Sequence, residues 1–371
     1  MLVVATPTVA ALHTSLKPTH HAGPVRAGRL ESLPKWVNLI PMVAQWLWLS
    51  IKYRSITLPS CSNPSVLTGG MVGEGKMDYF DIMGEQARAF VTPTACVTCA
   101  GEHSIEEVED AMTREVISYP IVVKPNLGWC GFGVRRVDDR SQLRAYLRAY
   151  PHGEQILIQN WLPEPGEAGI FYMRHPNEAR GQVIGLLLRQ FPRVVGDGMH
   201  TVGELMARDP RVCRRMQSHN GAPCRDLTTV PQAGEVVRLA TVASTRVGGL
   251  YLDASALITQ ELTAVMDKIS QDMKGFHVGR FDVKFSHTDA LRAGRGFSII
   301  EVNGAGSEAV HAWDPALTLR QAYGIVFAKQ RRLFAIGDAM RRQGHAPVGW
   351  RALLRHHLKQ QALIARYPPS N

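Results

Sequence analysis

The feature that most constrains the fold is a pair of apolar runs, FDVKF at 281–285 and FSIIEVN at 297–303, joined by a polar connector that contains glycine. Because side chains alternate between the two faces of a strand, Glu301 and Asn303 share one face of the second run, and Asp282 lies on the polar face of the first. If the two runs pair as neighbouring strands, these three polar side chains converge on one side of a hairpin.

Asp282, Glu301 and Asn303 would then present three oxygen donors, two of them anionic. Mg²⁺ takes a few protein oxygens and completes its octahedron with nucleotide phosphates and water. The trio therefore predicts a Mg²⁺ site, which Mn²⁺ could also occupy. Arg280, on the same face as Asp282, could stabilise charge that develops on a transferring phosphoryl group or an oxyanion. The alternative is an ordinary hairpin whose polar face meets water.

A second pattern, IVVKPNLGWCGFGVRRV at 121–137, reads as strand, glycine-rich loop and strand. The first strand ends on Lys124, and Gly128, Gly131 and Gly133 follow it. Glycines let backbone N–H groups turn toward phosphate oxygens, and a lysine adds a point charge. The pattern favours a phosphate-binding loop, and a glycine-rich hairpin with an exposed lysine is the alternative.

The stretch from Gly70 to Lys76 fits the phosphate-loop pattern GxxxxGK. A phosphate loop of that kind then needs Ser or Thr as a magnesium ligand, and this chain has Met77. Pro64 also interrupts any strand before the loop. We therefore reject that interpretation and keep Lys76 as a lone cation at the start of a helix.

The chain has 371 residues, 45% apolar and 20% charged, which is the composition of a globular protein. Its net charge of +10 favours anionic partners without selecting one. Much of the surplus lies in the basic C-terminal tail. We interpret that tail as a solvated helical face, with a membrane surface or an acidic partner as the alternative.

An apolar run rich in tryptophan, WVNLIPMVAQWLWLSI, occupies residues 36–51. It is too short to span a bilayer, which needs about 20 apolar residues. Trp36, Trp46 and Trp48 with flanking lysines would suit a helix at a membrane interface. We favour a helix that faces the core of an N-terminal unit.

Six cysteines include the lone CxxC pair Cys96 and Cys99, and neither a second pair nor histidines complete a zinc site. No secretory signal is recognisable, so we expect a cytoplasmic protein with reduced thiols. Membrane association through 36–51 is the open alternative. Helices and strands alternate along the chain with hairpins between them, which predicts layered α+β structure.

The chain resembles the ATP-grasp superfamily. The resemblance rests on five features that occur in this order: a strand ending in Lys124 and a proline, the glycine loop, a strand ending QNWL, then RFDV, then EVN. The branch most similar to it is that of the D-alanine–D-alanine ligase-like carboxylate–amine ligases. WLWLSIKYRS and EVNGAGSEAVHAWDP also resemble uncharacterised bacterial ATP-grasp proteins. The likeness covers roughly residues 70–335.

The resemblance implies an ATP-grasp fold in which two α+β lobes clasp ATP. It divides the chain into a mobile N-terminus (1–30), a pre-ATP-grasp unit with the Trp-rich helix (31–95), a small lobe (96–190), a large lobe with the metal site (191–340) and a basic tail (341–371).

The resemblance also assigns the nucleotide contacts. Lys124 and Lys76 would lie on the phosphates. Gly131, Phe132 and Gly133 would belong to the loop that closes over them.

The segment Gln159, Asn160, Trp161 and Leu162 matches the hinge that reads adenine through backbone groups. Glu167 resembles the carboxylate that holds the ribose hydroxyls.

The Mg²⁺ ligands would be Asp282, Glu301 and Asn303. Arg280 would lie near the acyl phosphate, and Ser307 joins it in the predicted catalytic set.

Three departures bear on the substrate. Trp129 and Cys130 stand where D-alanine ligases usually carry small hydroxyl residues, and the turn 304–308 reads GAGSE instead of Thr-Pro-Gly. That turn helps to hold the acceptor, so a D-alanine substrate is not implied.

The segment 189–205 is similar to part of the cyanophycin-synthetase-type ligases. The similarity would place Arg189, Arg193 and His200 between the lobes, where an anionic substrate could bind. The alternative is a basic hairpin followed by a turn.

We predict an ATP-dependent carboxylate–amine ligase that acts through an acyl phosphate and releases ADP and phosphate. The alternatives are an ATP-grasp small-molecule kinase and a membrane-associated nucleotide-binding module without chemistry. The expected partners are a small carboxylate and an amine. No nucleic acid is expected, and the oligomeric state is left open.

Overall fold

The computed structural model describes residues 28–217 and 226–370, with the backbone alone at 214–217. Most of the predicted mobile N-terminus, 1–30, lies outside the described residues. The strands are β1 (Thr94–Thr98), β2 (Ile121–Pro125), β3 (Arg135–Val137), β4 (Gln155–Asn160), β5 (Gly166–Met173), β6 (Gln182–Gln190), β7 (Arg193–Val195), β8 (Val236–Arg238), β9 (Leu250–Asp253), β10 (Val278–Phe285) and β11 (Phe297–Asn303).

The α-helices alternate with the strands and are joined to them by short 3₁₀ turns. They are α1 (Arg29–Ser32), α2 (Lys35–Tyr53), α3 (Lys76–Asp81), α4 (Glu85–Arg88), α5 (Ile105–Arg114), α6 (Arg140–Ala149), α7 (Val202–Arg208), α8 (Pro210–Gln217), α9 (Gln260–Gln271), α10 (Thr288–Arg292), α11 (Leu319–Arg342) and α12 (Trp350–Ile364).

The first sheet contains four antiparallel strands in the order β1-β4-β2-β3. The amphipathic helices α5 and α6 bury their apolar stripes together with the strand residues Ile121, Val123, Ile156 and Ile158. β2 is an inner strand of this sheet, and its end, where Lys124 lies, pairs with β4, whereas its pairing with β3 stops at Val123.

The second sheet contains five antiparallel strands in the order β11-β10-β5-β6-β9. The predicted hairpin is confirmed: Asp282 lies opposite Glu301, and Arg280 lies opposite Asn303. A β-bulge follows Asp282, and bulges re-aim side chains locally. The connector, which the sequence left without a role, contains the short helix α10.

The predicted mixed α+β class is confirmed, and both large sheets are antiparallel. The passage between the sheets falls at a different place from the predicted lobe boundary at 190. β5 and β6 pair with β10 and β9, so residues 166–190 belong to the second sheet. The chain crosses between sheets at 161–165, where Pro163 and Pro165 prevent continued strand pairing.

The Trp-rich run forms the predicted helix, α2, which packs against α11. Trp46 contacts the Phe334 ring edge-on at 4.9 Å between centroids, and Leu49 is buried. The expectation that the apolar residues of this helix face the core is otherwise wrong, because most of them are exposed. Within the described residues, no helix combines the length and the apolarity that crossing a bilayer would need.

Candidate functional site

A cleft of about 430 Å³ opens between the two sheets. One wall comes from β2 and β4 of the first sheet, and the other from β5, β6, β10 and β11 of the second. The start of α3, the glycine-rich segment 128–132, the segment 241–244, the turn 306–308 and helix α12 also line the cleft. Fourteen of the fifteen predicted site residues line this one cleft.

The exception is Gly133, which lies beside the cleft and packs inside the first sheet. Its φ is 72°, and a Cβ there would meet the Cγ of Pro125 at 2.8 Å. Its carbonyl accepts a hydrogen bond of 2.8 Å from the Tyr146 hydroxyl. Gly133 therefore shapes the base of the loop and does not face the cleft.

Two lysine ammonium groups enter the cleft close to each other. The Nζ of Lys124 donates to the carbonyl oxygen of Ile300 on β11 at 2.7 Å. The Nζ of Lys76 donates to the carbonyl of Pro125 at 3.0 Å and lies 3.7 Å from Glu301. Burial lowers the pKa of Lys124 to about 8, although the Glu301 carboxylate partly offsets this.

Two glycines permit close approaches that shape this end of the cleft. A Cβ at Gly128 would lie 2.6 Å from the Nζ of Lys76, so only a hydrogen there leaves room for the ammonium group. A Cβ at Gly70 would lie 2.6 Å from the Cα of Gly304, in the turn after β11. The first glycine of the GxxxxGK pattern thus serves backbone packing between two loops.

Asp282 is the most buried carboxylate of the cleft and is bound by two guanidinium groups. Arg280 donates to it through Nε at 2.8 Å and Nη2 at 2.9 Å, and Arg189 through Nη2 at 3.0 Å. The amide of Asn303 adds a bond of 3.2 Å. Burial alone would raise the pKa of Asp282, but Arg189 and Arg280 hold it below its usual value.

Glu301 is the more accessible carboxylate, with a side chain that is 29% exposed. It lies opposite Asp282 in the register, on the same wall as Asn303. Two carboxylates and an amide oxygen on one wall form a donor set of the kind that Mg²⁺ takes. The described residues contain no group of three His, Cys, Asp or Glu side chains that could hold a metal. A cation here would therefore need the amide oxygen and ligands from the substrate.

Arg189 bridges two carboxylates across three neighbouring strands. It donates to Glu167 at 3.0 Å as well as to Asp282, and Glu167 also lies 3.4 Å from the Nζ of Lys284. Burial opposes the charge on Arg189, but Asp282, Tyr251 and Glu167 outweigh it and raise the pKa of Arg189. The second wall is thus an alternating network of anions and cations.

Of the three residues that the similarity at 189–205 places between the lobes, only Arg189 lines the cleft. Arg193 lies on β7, in a separate two-stranded sheet with β8. His200 lies outside the cleft lining, and its Nδ1 is 2.6 Å from Asp197. The positions of Arg193 and His200 therefore fit the alternative, a basic hairpin followed by a turn.

The segment where the chain leaves the first sheet, residues 159–162, places few free polar side-chain groups in the cleft. Gln159 donates to Thr94 at 2.8 Å, and Asn160 accepts from the backbone of Ser118 at 3.0 Å, so both amide groups are used inside the protein. The Trp161 ring and Leu162 line the cleft beside them. This part of the wall suits a flat apolar group.

The glycine-rich segment is tied to the C-terminus of the described chain. The Tyr367 hydroxyl donates to the carbonyl of Leu127 at 2.6 Å, and the Ser370 hydroxyl donates to the carbonyl of Gly131 at 2.8 Å. These bonds use loop carbonyls, whereas the N–H group of Phe132 donates to the carbonyl of Trp129 at 3.0 Å.

Sequence reasoning missed the cleft residues of the C-terminal helix. His357, Gln360 and Gln361 of α12 line the cleft, and Gln360 donates to the Gly128 carbonyl at 3.2 Å. The sequence predicts a solvated basic helical face for the C-terminal tail, and no local motif marks these three side chains as cleft residues. Ser307, which was predicted, has an enclosed Oγ without a hydrogen-bond partner among the described residues.

The CxxC pair lies at the first sheet, apart from the cleft. Burial raises the pKa of Cys96 to about 11 and raises that of Cys99 as well. Both thiols are therefore protonated at neutral pH, which is the state of inert structural cysteines.

Comparisons with known proteins give only distant structural matches. No protein-family model matches the chain, and no curated protein is similar enough in sequence to count as a match. Among solved structures, the chain is similar to D-alanine–D-alanine ligase from Bacillus anthracis (13% identity, TM-score 0.41, 76% of this chain and 72% of that chain).

Two further solved structures are similar to the chain, also at low sequence identity and low TM-score. VanG D-Ala:D-Ser ligase from Enterococcus faecalis matches at 12% identity and TM-score 0.40, over 72% of this chain and 64% of that chain. A bifunctional glutathione synthetase from Pasteurella multocida matches at 17% identity and TM-score 0.35, over 66% of this chain. The chain spans 35% of the length of that synthetase.

Proposed function

We propose that this chain is an ATP-grasp carboxylate–amine ligase. A carboxylate oxygen attacks the γ-phosphorus of ATP, forming an acyl phosphate and ADP. An amine then attacks the acyl carbon, phosphate leaves, and the amine nitrogen loses a proton as the amide forms. The observation that carries the proposal is the meeting of Lys76 and Lys124 with Asp282, Glu301 and Asn303 in one cleft between two sheets.

The nucleotide would lie along the first sheet. The ammonium groups of Lys76 and Lys124 hold phosphate oxygens, and the glycine-rich loop that contains Gly131 and Phe132 covers them. The adenine ring lies against Trp161 and Leu162, whose backbone groups read its edge.

Glu167 would accept the ribose hydroxyls with oxygen lone pairs that Arg189 and Lys284 leave unused. A carboxylate has about four such acceptor positions, and two cations occupy only part of them. The same two cations hold the Glu167 carboxylate in a fixed orientation.

A Mg²⁺ ion would be held by Glu301, Asn303 and Asp282, with the nucleotide phosphates as further ligands. When bound, it neutralises phosphate charge and polarises the phosphoryl oxygens. The Asp282 carboxylate accepts hydrogen bonds from Arg189 and Arg280 in this structure, and these bonds hold its oxygens in place on the wall formed by the second sheet. Glu301, with only a loose contact to Lys76, is the ligand that needs least rearrangement.

Arg280 and the turn after β11 would hold the reacting carboxylate. Arg280 supplies positive charge where the acyl phosphate and the tetrahedral oxyanion develop. The unpartnered hydroxyl of Ser307 is placed to accept or donate one hydrogen bond to the substrate. Because the GAGSE turn has no counterpart in the D-alanine ligase pattern, the identity of the acid and the amine is a question for experiment.

The test is ADP formation from ATP and Mg²⁺ in the presence of paired panels of carboxylates and amines, followed by mass spectrometry of the products. The expected product is an amide, with one ADP and one phosphate released for each bond. A stable phosphate ester would identify a kinase instead. Tight ATP binding without ADP release across the panels would contradict any catalytic function.

A further inference from the structure

Helix α2 presents a broad apolar face that the rest of the described chain does not cover. Seven of its large apolar side chains are 48% to 79% exposed: Trp36, Leu39, Ile40, Val43, Leu47, Trp48 and Ile51. Single exposed apolar residues are ordinary, whereas a contiguous patch on a soluble domain marks an interaction surface.

The spacing of these residues makes them one stripe. Positions 36, 40, 43, 47 and 51 follow each other at intervals of three and four residues, so they lie along one side of the helix. Other side chains of α2, among them Trp46 and Leu49, pack toward α11. The fold therefore anchors α2 without using the stripe.

The layer that carries the stripe is strongly basic. Residues 33–73 contain no Asp or Glu, and residues 315–349 contain one, Asp338. The two segments together hold nine lysines and arginines, so their net charge is +8, while that of the whole chain is +10. The segments are in contact because α2 packs on α11. The surplus positive charge of the protein is thus concentrated on this layer.

The ends of the stripe carry amphipathic side chains. Trp36 lies one residue after Lys35, and the Nζ of Lys52 lies 5.4 Å from the centre of a Trp48 ring. Tryptophan and lysine at the ends of an apolar helix face are the combination found at the boundary between lipid and water, where the ring is partly buried and the ammonium reaches the headgroups.

We propose that the exposed face of α2 and the surrounding basic layer bind the surface of an anionic lipid bilayer. The helix lies in the interface, with its apolar stripe at the level of the upper acyl chains, and basic side chains of the layer meet lipid phosphates. A second copy of the chain fits this face poorly, because pairing through α2 would bring two layers of the same +8 charge together.

The test is sedimentation of the full chain with vesicles. Vesicles of phosphatidylcholine are compared with vesicles that contain about 30% phosphatidylglycerol, at low and at about 0.5 M salt, where surface charges are screened. We expect binding to the anionic vesicles only, at low salt. The double variant Leu47→Ser/Ile51→Ser should bind them at least about 10-fold more weakly.

The matched control is Val116→Ser/Met199→Ser, which removes two exposed apolar side chains elsewhere and should bind as the wild type does. Circular dichroism confirms that both variants fold. Equal binding by the stripe variant and the wild type would overturn the proposal, as would absence of binding to anionic vesicles. A dimer in light scattering that the stripe variant dissociates would assign the face to a second copy and overturn it too.

Discussion

The Nζ of Lys124 donates a 2.7 Å hydrogen bond to the main-chain carbonyl of Ile300, and this bond joins the two sheets across the floor of the cleft. The partner is a neutral carbonyl, so the charge of the lysine is not neutralised by it. Lys124 is 5% exposed, and a charge so buried is stable only when an anion is near. The arrangement leaves Lys124 poised to gain a phosphate.

Lys124→Met should therefore weaken ATP binding with little change in the fold. A charge-assisted hydrogen bond contributes about 1.5–3 kcal/mol, which corresponds to roughly a 10- to 150-fold rise in Kd. Isothermal titration calorimetry measures the Kd for ATP. Lys274→Met, which removes an exposed lysine away from the cleft, is the control and should bind as the wild type does. Equal affinity of the two variants would contradict the phosphate role.

ATP affinity should fall at alkaline pH. Burial lowers the pKa of Lys124 to about 8, so the side chain is charged below that pH and neutral above it. Phosphate binding requires the charged form, so Kd should stay level from about pH 7 to 8 and rise up to about 10-fold per unit above that. Calorimetry without metal measures the profile. In Lys124→Met the step near pH 8 should vanish, and its persistence there would assign the titration to another group.

The sequence predicted the strands that bear the chemistry because alternation is a local property. FDVKF and FSIIEVN could be paired from pattern alone, and Asp282 and Glu301 do face each other. For the same reason, most predicted cleft residues are those that lie on, or directly after, strands.

The contacts that the sequence could not predict are made between segments far apart in the chain. Arg189 reaches Asp282 over 93 positions, and Tyr367 reaches Leu127 over 240. No local pattern encodes such a pair. The prediction that the apolar residues of α2 face the core was also wrong. An apolar helix has the same sequence pattern whether its apolar stripe packs against the core or is exposed.

Gly128→Ala should impair ATP binding while the protein stays folded. The added Cβ would lie 2.6 Å from the Nζ of Lys76, and the flexible end of that side chain can move away. The displaced ammonium no longer reaches the phosphates, so we expect an increase in Kd of about 10-fold, near the value for one charge-assisted bond. Gly324→Ala, where a Cβ meets nothing within 4 Å, is the control in the same calorimetric assay. An unchanged Kd in Gly128→Ala would remove Lys76 from the phosphate site.

Weakening the tie between the C-terminus and the glycine-rich segment should raise the KM for ATP. Tyr367→Phe/Ser370→Ala removes the hydrogen bonds to Leu127 and Gly131. At about 0.5–1.5 kcal/mol for each of the two bonds, the ordering of the loop should weaken by roughly 5- to 150-fold, and the KM should rise in the lower part of that range.

Limited proteolysis of that variant should show faster cleavage within 127–133, and ATP should restore protection. Tyr323→Phe, which alters a tyrosine that contacts α2, serves as control. A fall in KM would show instead that the C-terminus restrains the loop from closing.

The two carboxylates of the predicted metal site should respond differently to neutral substitution. Glu301 is partly exposed and 3.7 Å from Lys76, so Glu301→Gln should fold normally. Its ADP formation should fall by about 100-fold or more, because a metal ligand stabilises the transition state by several kcal/mol. Glu178→Gln, at an exposed site on a loop, is the control for the substitution.

Asp282→Asn should lose turnover and stability together. The carboxylate is 1% exposed and offsets the charges of Arg189 and Arg280, so its neutralisation leaves two buried guanidinium groups underpaired. Breaking a buried pair costs about 3–5 kcal/mol, and the free energy of unfolding in urea should fall by that order. Arg189→Met in the Asp282→Asn background should recover part of this loss. If Asp282→Asn instead unfolds at the wild-type urea concentration, the arginine network does not contribute to stability, and the site is held by the surrounding sheet alone.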